Sequence, residues 1–554
     1  MSRFEGEHFI ARCVGQRHKR LRRIQARFVI QQPLLGRIKT LLQSSSLRWN
    51  FVGNVTGRLW LGVMSLVTVP VFVHLLGTNA FGIVSLVATF TSFLALLDCG
   101  LACTANREVA SLRGPENRGH IADVVRTFEL IYWTVALVIG LGFAGLSSWI
   151  ANSWVTKQSL SPADIRMAII LGGIALAARW PVALYTGVLQ GLERQVLQNG
   201  ILVVAATTRI GLTILALLFV SRTVYCFLVT QALANVMEVL LSGYVARRLA
   251  NAGAQGRFSL AVVRRVWRFA ISFNLVGAFG SLTGGTAGLL MGKLLPLVEL
   301  TYYSVASTAT GVLQAVCLPA HIALFPRLAA HWGQQNLEEM RRLYLLTLRF
   351  TIYLCAGPAT VLCFFPSEVV ALWTRSPELT QHVRLILPIL TAANVVYCAS
   401  NLSYTFLVAT GKTRVPLLVN AISLPVMVMG CYVGIRAFGT SGAALCWLIW
   451  QMLCFMVYAT FCFKKIFCMR PQPLLWGLPV GFLAVAVTTG IMSKAAMPFH
   501  LGRTVLTVWL LSTVMLCYVV NILLLKSDER NMLVAQLRRL RSLFQHEFRR
   551  TAIA

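Results

Sequence analysis

Six charged residues stand inside long apolar segments in the first half of the chain, where a charge is costly to place and therefore marks a candidate site. These residues are Arg58, Asp98, Glu129, Arg179, Arg209 and Glu238. The second half has little comparable beyond Arg349 and Glu368, near predicted helix ends. We expect the first half to line a hydrated, charged chamber and the second half to supply a mostly apolar wall.

The arginines are candidates for binding an anion. Asn54 and Arg58 are four residues apart, so they share one helix face, and a polar face is expected to turn away from lipid. Arg179 comes shortly before Pro181, which loosens the helix backbone. A guanidinium stays protonated, and its forked donors match phosphate oxygens. Alternatively, the arginines neutralise the acids in pairs, an interpretation that applies most readily to Arg209.

The three acids have a different candidate role. Asp98, Glu129 and Glu238 are candidates for ion coupling or gating, because a buried carboxyl group with a raised pKa is the usual device for binding a proton or sodium ion. Asp98 lies near the predicted cytoplasmic end of its helix, so the alternative for it is to hold Arg107 or the following loop. Both interpretations stay open at this stage.

These residues must be positioned by helices that lie in lipid. The chain has 554 residues, of which 57% are hydrophobic and only 12% charged, whereas soluble domains carry about 25% charged residues. A helix that crosses a bilayer needs about 20 mostly apolar residues. Fourteen segments meet this requirement: 51–76, 79–104, 122–149, 165–190, 197–220, 223–246, 269–293, 300–325, 343–372, 382–410, 416–436, 439–463, 474–493 and 504–525.

The distribution of positive charge predicts the orientation. A net charge of +32 would suit a nucleic-acid partner, but alternate connections between the segments divide the 50 Lys and Arg residues unevenly. Three of them, Arg58, Arg179 and Arg209, lie well inside the predicted helices, and 38 fall in the connections and helix ends on one side of the membrane. The nine on the other side are Lys157, Arg166, Arg222, Lys293, Arg375, Arg384, Arg436, Lys494 and Arg503. Positive residues stay cytoplasmic, so both termini are predicted to be cytoplasmic and no nucleic-acid partner is expected.

The connections and cysteines argue against an enzyme. The longest predicted exterior connection, near 150–164, contains Asp164 as its sole acid, which leaves no set of catalytic acids and bases there. The sequence contains no phosphate-binding Gly-x-x-x-x-Gly-Lys-Ser/Thr loop. Cys99 and Cys103 lie one turn apart without a second Cys/His cluster, so we expect no metal site and treat the cysteines as small apolar residues. We predict no catalytic residues and no cofactor.

An internal repeat suggests two similar halves. Asn-Phe-Val-Gly at 50–53 recurs as Asn-Leu-Val-Gly at 274–277, and Gly-x-x-Arg at 191–194 recurs at 411–414. The separation of about 220 residues spans six predicted helices and indicates duplication. We predict an all-α integral membrane protein with about 14 transmembrane helices, in two six-helix lobes around a central cavity plus two C-terminal helices. The predicted parts are a basic cytoplasmic segment with a possible interfacial helix (1–50), the first lobe with its linker (51–268), the second lobe (269–463), helices 13 and 14 (474–525) and a basic cytoplasmic tail (526–554).

Several motifs resemble a known family. Leu-Asp-Cys-Gly-Leu at 97–101, followed by Asn-Arg-Glu-Val-Ala at 106–110, is similar to the end of helix 2 in O-antigen and exopolysaccharide flippases of the multidrug/oligosaccharidyl-lipid/polysaccharide exporter superfamily. The motifs at 75–82, 187–194 and 409–416 are similar to other signatures of that family. The resemblance covers roughly residues 48–525 and indicates the polysaccharide branch without naming the glycan.

The resemblance implies a bacterial inner-membrane transporter that moves an undecaprenyl-diphosphate-linked oligosaccharide to the periplasmic leaflet by alternating access. Arg58, Arg179 and Arg209, with Asn54, would then hold the diphosphate. The implied partners are this substrate and membrane lipids, with a polysaccharide polymerase complex as a further candidate. The alternatives are a lipid II flippase and a drug/cation antiporter of the same superfamily.

Overall fold

In the computed structural model, the described residues are 47–98, 100–112, 118–155, 161–251, 256–467, 472–498 and 502–523, and their regular structure is helical throughout. The predicted basic tails therefore lie almost entirely outside the described residues. The helices are α1 (Leu47–Leu76), α2 (Thr78–Asp98), α3 (Leu101–Ser111), α4 (Arg118–Trp149), α5 (Pro162–Arg179), α6 (Val182–Gly191), α7 (Gln195–Phe219), α8 (Val224–Asn251), α9 (Leu260–Leu294), α10 (Leu297–Gly333), α11 (Leu337–Phe364), α12 (Pro366–Thr374), α13 (Pro377–Ala409), α14 (Arg414–Phe461), α15 (Gln472–Ala495) and α16 (Arg503–Leu523).

The helices α1–α8 form what we call the first lobe. Helix α8 packs against α4, α5, α6 and α7, while α3 lies along α6. The core on the side of α3, α4 and α6 contains three large aromatic side chains, Phe128, Tyr132 and Tyr185, all almost fully buried. A buried tyrosine hydroxyl usually needs a hydrogen-bond partner, and these two tyrosines find theirs in the acids described below.

The helices α9–α14 form the second lobe. Helix α13 packs against α10, α11, α12 and α14, and α9 packs along α14. Helix α15 contacts α11. Apolar side chains of α16, including Leu506 and Leu510, pack with Val361 and Phe365 at the end of α11. The two lobes meet where α2 packs on α9 and α10.

The predicted integral membrane fold is confirmed in its class. Within the described ranges, nine helical stretches are long and apolar enough to cross a membrane, and two shorter apolar helices add to them. Every one of the fourteen predicted segments overlaps a helix of the structure. The total of fourteen crossings and the division into domains stay predictions.

Helix α2 is shorter than the single predicted segment 79–104. It ends at Asp98, and the chain restarts as α3 at Leu101. Gly100 lies between them with a φ of 76°, a left-handed conformation that glycine adopts without steric cost. The apolar pattern continues across this break, so hydropathy alone did not reveal it.

Helix α14 contains the two predicted segments 416–436 and 439–463, which are separated by a break. Gly439 has a φ of 59° and a ψ of −139°, which interrupts the helix. The chain folds back there, because Gly434 and Gly442 pack so closely that a Cβ on Gly442 would lie 1.8 Å from the Gly434 carbonyl oxygen. Cys446 Sγ also lies 3.0 Å from the carbonyl oxygen of Gly430. The two segments therefore form a tight helical hairpin.

The two turns that the repeat aligned, after α6 and after α13, have similar backbone geometry. Their alignment in the structure differs from the alignment by sequence, which matched Gly191 with Gly411. After α6 the left-handed residue is Glu193 (φ 57°), and after α13 it is Gly411 (φ 72°). The following amides, of Arg194 and Lys412, each donate to a carbonyl five residues earlier, the bond that closes a Schellman turn. Glu193 therefore corresponds to Gly411. Gly191 serves instead for close packing, since a Cβ there would lie 2.7 Å from the Asn106 carbonyl oxygen.

Candidate functional site

Arg209 is held between two side chains of the neighbouring helix. Its Nη1 donates to Glu238 Oε2 and to Asn235 Oδ1, both at 3.2 Å. Both partners lie on α8, three residues apart and so on one helix face. The side chains of Arg209 and Glu238 are only 14% and 3% exposed. Asn235 also donates to the Ala175 carbonyl oxygen of α5 at 2.8 Å, so this network joins α5, α7 and α8.

Arg179 lies at the break that Pro181 was expected to produce. Helix α5 ends at Arg179, and α6 begins at Val182. The Arg179 side chain is exposed and forms no ion pair within the described part of the chain. It is close enough to Arg209 for the two positive charges to repel each other. Because the negative charge of Glu238 neutralises Arg209, the positive charge of Arg179 is left in excess at the break between α5 and α6.

Asn54 and Arg58 lie in α1, but their side chains are outside the described residues. The backbone of this part of α1 packs on α7, since a Cβ on Gly57 would lie 2.8 Å from Asn199 Oδ1. Further along α1, Trp60 Nε1 donates to Thr207 Oγ1 of α7 at 3.0 Å. The helix that carries Arg58 is thus fixed against the helix that carries Arg209.

The described partners of Glu129 are not among the three arginines that the sequence analysis considered. Its carboxylate accepts from Arg247 Nε at 2.8 Å, from Tyr185 OH at 3.0 Å and from Arg126 Nη1 at 3.4 Å. Arg126 is three residues before Glu129, a spacing that the sequence analysis could have used. Arg247 and Tyr185 come from other helices, and no sequence signal links them to Glu129.

Asp98 ends α2 and contacts the chain that follows it. Its carboxylate accepts from Tyr132 OH at 2.5 Å and from the backbone amides of Gly100 and Ala102. These contacts fix the break between α2 and α3 and correspond to the loop-holding alternative. The Tyr132 partner was missed, because it lies on a helix 34 residues further along the chain.

The second lobe has a neutral polar interior, which differs from the mostly apolar wall that we expected. Asn394 of α13 accepts from Gln314 and donates to Thr310 Oγ1 at 3.0 Å. Further along α10, His321 Nε2 lies 3.2 Å from Thr351 Oγ1 of α11. These side chains link α10, α11 and α13, and the amide and hydroxyl groups among them carry no formal charge.

Three cysteines that are distant in sequence meet in the second lobe. The sulfur atoms of Cys317, Cys355 and Cys398 lie within 4.8 Å of one another, and all three side chains are buried. Their surroundings are apolar and include Leu313 and Val395. Three thiolates here would add negative charge to an apolar region, so the arrangement favours neutral thiols that pack as small apolar groups. The sequence analysis did not bring these cysteines together.

Polar contacts join the two lobes at the end that the charge distribution predicts to be exterior. Thr301 Oγ1 of α10 donates to the Thr78 carbonyl oxygen of α2 at 2.6 Å. Thr78 Oγ1 donates in turn to Glu378 Oε1 of α13 at 3.0 Å, and Tyr302 OH donates to the same oxygen at 2.8 Å. We call Thr78, Thr301, Tyr302 and Glu378 the exterior contact. It holds the start of α2 against α10 and α13.

A backbone group of α1 adds to this connection. Pro70 has no N–H, so the carbonyl oxygen of Leu66 has no donor four residues later. Trp373 Nε1 of α12 donates to this oxygen at 2.7 Å. A carbonyl group that the proline frees in the first lobe is therefore satisfied by the second lobe.

The long apolar helices of the described ranges, together with the matches that follow, identify a multi-pass membrane transporter and not an enzyme. The family model for polysaccharide biosynthesis protein matches residues 49–332, and the model MatE matches residues 275–433. The chain belongs to the polysaccharide biosynthesis protein family.

Individual relatives agree with this assignment. The chain is 20% identical to a putative O-antigen transporter of Shigella flexneri over 72% of its length and 93% of the relative. Among solved structures, it is similar to the lipid II flippase MurJ in an inward closed conformation, with a TM-score of 0.64 and 11% identity over 85% of this chain and 97% of the other. It is also similar to an inward-facing multidrug resistance MATE family transporter of the MOP superfamily, with a TM-score of 0.62 and 14% identity over 76% and 99%.

Proposed function

We propose that the protein moves an undecaprenyl-diphosphate-linked oligosaccharide from the cytoplasmic to the periplasmic leaflet by alternating access of its two lobes. Neither a diphosphate nor a hydrated oligosaccharide crosses hydrocarbon unaided, because burying charged and polar groups without partners is costly. The protein would provide cationic partners for the diphosphate and a polar path for the sugar. The lipid tail would stay in the bilayer.

The single observation that carries this proposal is the excess positive charge at the break between α5 and α6. Arg209 and Glu238 balance each other, and Arg179 beside them forms no ion pair with any described residue. A drug/cation antiporter would need net negative charge at its binding site. An anionic lipid headgroup would instead neutralise Arg179. Arg58 on α1 is the second residue that we propose to bind this headgroup. Asn54 would help to position it, while Asp98, Glu129 and Glu238 are candidates for ion coupling or gating.

Contacts between the lobes close the predicted exterior end, and we infer that substrate is loaded from the opposite, cytoplasmic side. The exterior contact and the bond from Trp373 to Leu66 hold the lobes together at the predicted exterior end. These bonds would have to break before the carried lipid could leave on that side.

The setting that we propose follows from this direction of transport. The protein would lie in the bacterial inner membrane with both termini cytoplasmic, which agrees with the excess of positive residues on that side. Its partners would be the lipid-linked oligosaccharide and membrane lipids. A polysaccharide polymerase complex would receive the translocated unit.

Complementation of a strain that lacks its own O-antigen or exopolysaccharide flippase tests the proposal. Replacing Arg179 or Arg58 with Ala should abolish surface polysaccharide, while protein levels in the membrane stay normal. Arg179→Lys, which keeps the charge but loses the fork, should retain part of the activity. Arg166→Ala is the matched control, because Arg166 is an exposed arginine on the same helix as Arg179. Normal polysaccharide in both the Arg58 and Arg179 variants would refute the assignment.

The lipid II flippase stays the second candidate, because the fold is as similar to MurJ as to the MATE transporter. Deletion in the native strain separates the candidates. Loss of surface polysaccharide with normal growth would support the proposed function. Loss of viability would indicate lipid II transport, and sensitivity to dyes would indicate a drug exporter.

A further inference from the structure

An open cavity of about 510 Å³ lies where the end of α12, the start of α13 and the start of α16 come together. Its volume is in the range of sites that hold one small ligand or headgroup. The polar side chains that line it are those of Ser367, Arg375, Ser376, Thr380, Gln381, Arg384 and Arg503. We call it the arginine cavity. It is distinct from the first-lobe site, since all of its lining residues belong to α12, α13, α16 and their flanking turns.

The charge of the arginine cavity is positive and not compensated. Arg375, Arg384 and Arg503 come from three separate elements, and none of them forms an ion pair with a residue that the structure describes. The lining includes no acid. The two nearest acids along the chain are not lining residues: Glu368 pairs with Lys494, and Glu378 accepts hydrogen bonds from Thr78 and Tyr302.

The position of this charge is unusual for a membrane protein. The predicted exterior side has only nine Lys and Arg residues in the whole chain, and three of them converge on this cavity. Positive residues are normally scarce on that side. The cavity lies at the ends of helices, where a transmembrane segment reaches the headgroup layer. Phosphate groups of lipids in the exterior leaflet are therefore the anions within reach.

The backbone at Arg375 places its side chain at the turn between α12 and α13. Arg375 closes α12 with a φ of 55°, in the left-handed region where glycine or asparagine is the usual residue. An arginine here accepts an unfavourable backbone conformation.

We propose that the arginine cavity binds the phosphate-bearing headgroup of a lipid in the exterior leaflet. The hydroxyl and amide groups of Thr380, Gln381 and Ser367 would accept or donate hydrogen bonds around the phosphate. Two sources share this chemistry: the diphosphate of the carried lipid after its translocation, which rests on the proposed function, and a resident phospholipid. In the first case the cavity is a release site that holds the headgroup once the lobes have opened.

Binding to the purified full-length protein in detergent tests this proposal. Native mass spectrometry would be used to measure the affinity of undecaprenyl diphosphate and of phosphatidylglycerol, with inorganic pyrophosphate as competitor. The cavity variant is R375Q/R384Q/R503Q. The matched control R166Q/R222Q/R436Q removes three exposed arginines from the same predicted side, away from the cavity. Elution and thermal unfolding establish that both variants are folded.

Compared in a common Arg58→Ala/Arg179→Ala background, which removes the first-lobe site, the cavity variant should bind lipid phosphate at least about tenfold more weakly than the protein that keeps the three cavity arginines, since three charge-assisted contacts are lost. The control, in the same background, should stay within about twofold of that protein, a change of under 1 kcal/mol. Pyrophosphate should displace the lipid. Equal binding by that protein and the cavity variant, equal loss in both variants, or no displacement by pyrophosphate would each overturn the proposal.

The two lipids identify the source. Preferential binding of undecaprenyl diphosphate assigns the cavity to the carried lipid, and equal binding of phosphatidylglycerol assigns it to the surrounding bilayer. Transport by the native protein is measured separately in proteoliposomes. Absence of transport together with arginine-dependent binding would refute the proposed function and leave the cavity in place. Transport without arginine-dependent binding would refute the arginine cavity as a binding site and leave the proposed function in place.

Discussion

The pair of Arg209 and Glu238 allows a structural role to be separated from a role in substrate binding. The two charged atoms lie 3.2 Å apart with almost no exposure, which corresponds to a gross attraction of about 5 kcal/mol at an effective dielectric constant of about 20. Breaking a buried pair by removing one partner typically costs about 3–5 kcal/mol, whereas replacing both partners is often neutral. Because Asn235 still accepts from Arg209, we expect the lower end of this range for Glu238→Gln.

The test compares the free energy of unfolding of the single variant E238Q with that of the double variant R209Q/E238Q in purified protein. E238Q should destabilise the protein by about 3 kcal/mol, and the double variant R209Q/E238Q should recover most of this loss. Chemical unfolding in detergent gives the stability, and complementation of the flippase-deficient strain gives the activity. If Arg209 also contacts the diphosphate, the double variant will be stable but inactive. If E238Q loses no more stability than R209Q/E238Q, the claim that each charge needs the other is refuted.

Three further results are expected. Trp373→Phe removes the donor to Leu66, so spin-label distances between the exterior ends of the lobes should shift towards a more separated population. Glu378→Ala removes two hydrogen bonds of the exterior contact and should favour separation by about 1 kcal/mol, roughly fivefold in the ratio of states, measured in the same way. Gly442→Ala places a Cβ 1.8 Å from the Gly434 carbonyl oxygen, so the yield of folded protein and its unfolding temperature should both fall.

Each of these has a control or a contradicting outcome. Gly211→Ala is the control for the hairpin, because a Cβ at Gly211 meets nothing within 4 Å, and its unfolding temperature should not fall, since alanine is the better helix former. Unchanged distance distributions in both the Trp373 and Glu378 variants would show that these bonds do not set the balance between states. Normal stability of the Gly442 variant would contradict the close packing of the hairpin.

The sequence was sufficient to predict the helical membrane fold, because lipid selects apolar residues along a whole segment and this signal is local. It did not reveal the break at Gly100, since apolar residues continue on both sides of it. The partners of the acids were only partly predictable. The pairing of Arg209 with an acid was one of two stated alternatives, whereas Tyr132 for Asp98 and Arg247 for Glu129 depend on how distant helices pack. The arginine cavity was missed for the same reason, because Arg503 is distant in sequence from Arg375 and Arg384 and only the packing of their helices brings it to them.

The carbonyl group of Leu66 has a consequence for the order of events in transport. While Trp373 supplies its donor, this oxygen needs no solvent. Once the lobes part, Pro70 leaves it nothing to bond with in its own helix, and an oxygen deprived of any donor in a dry environment is expensive. Separation therefore succeeds only as fast as water reaches α1. The outer passage would fill with water in the same step that forms it, so that a sugar chain arriving there finds a hydrated route.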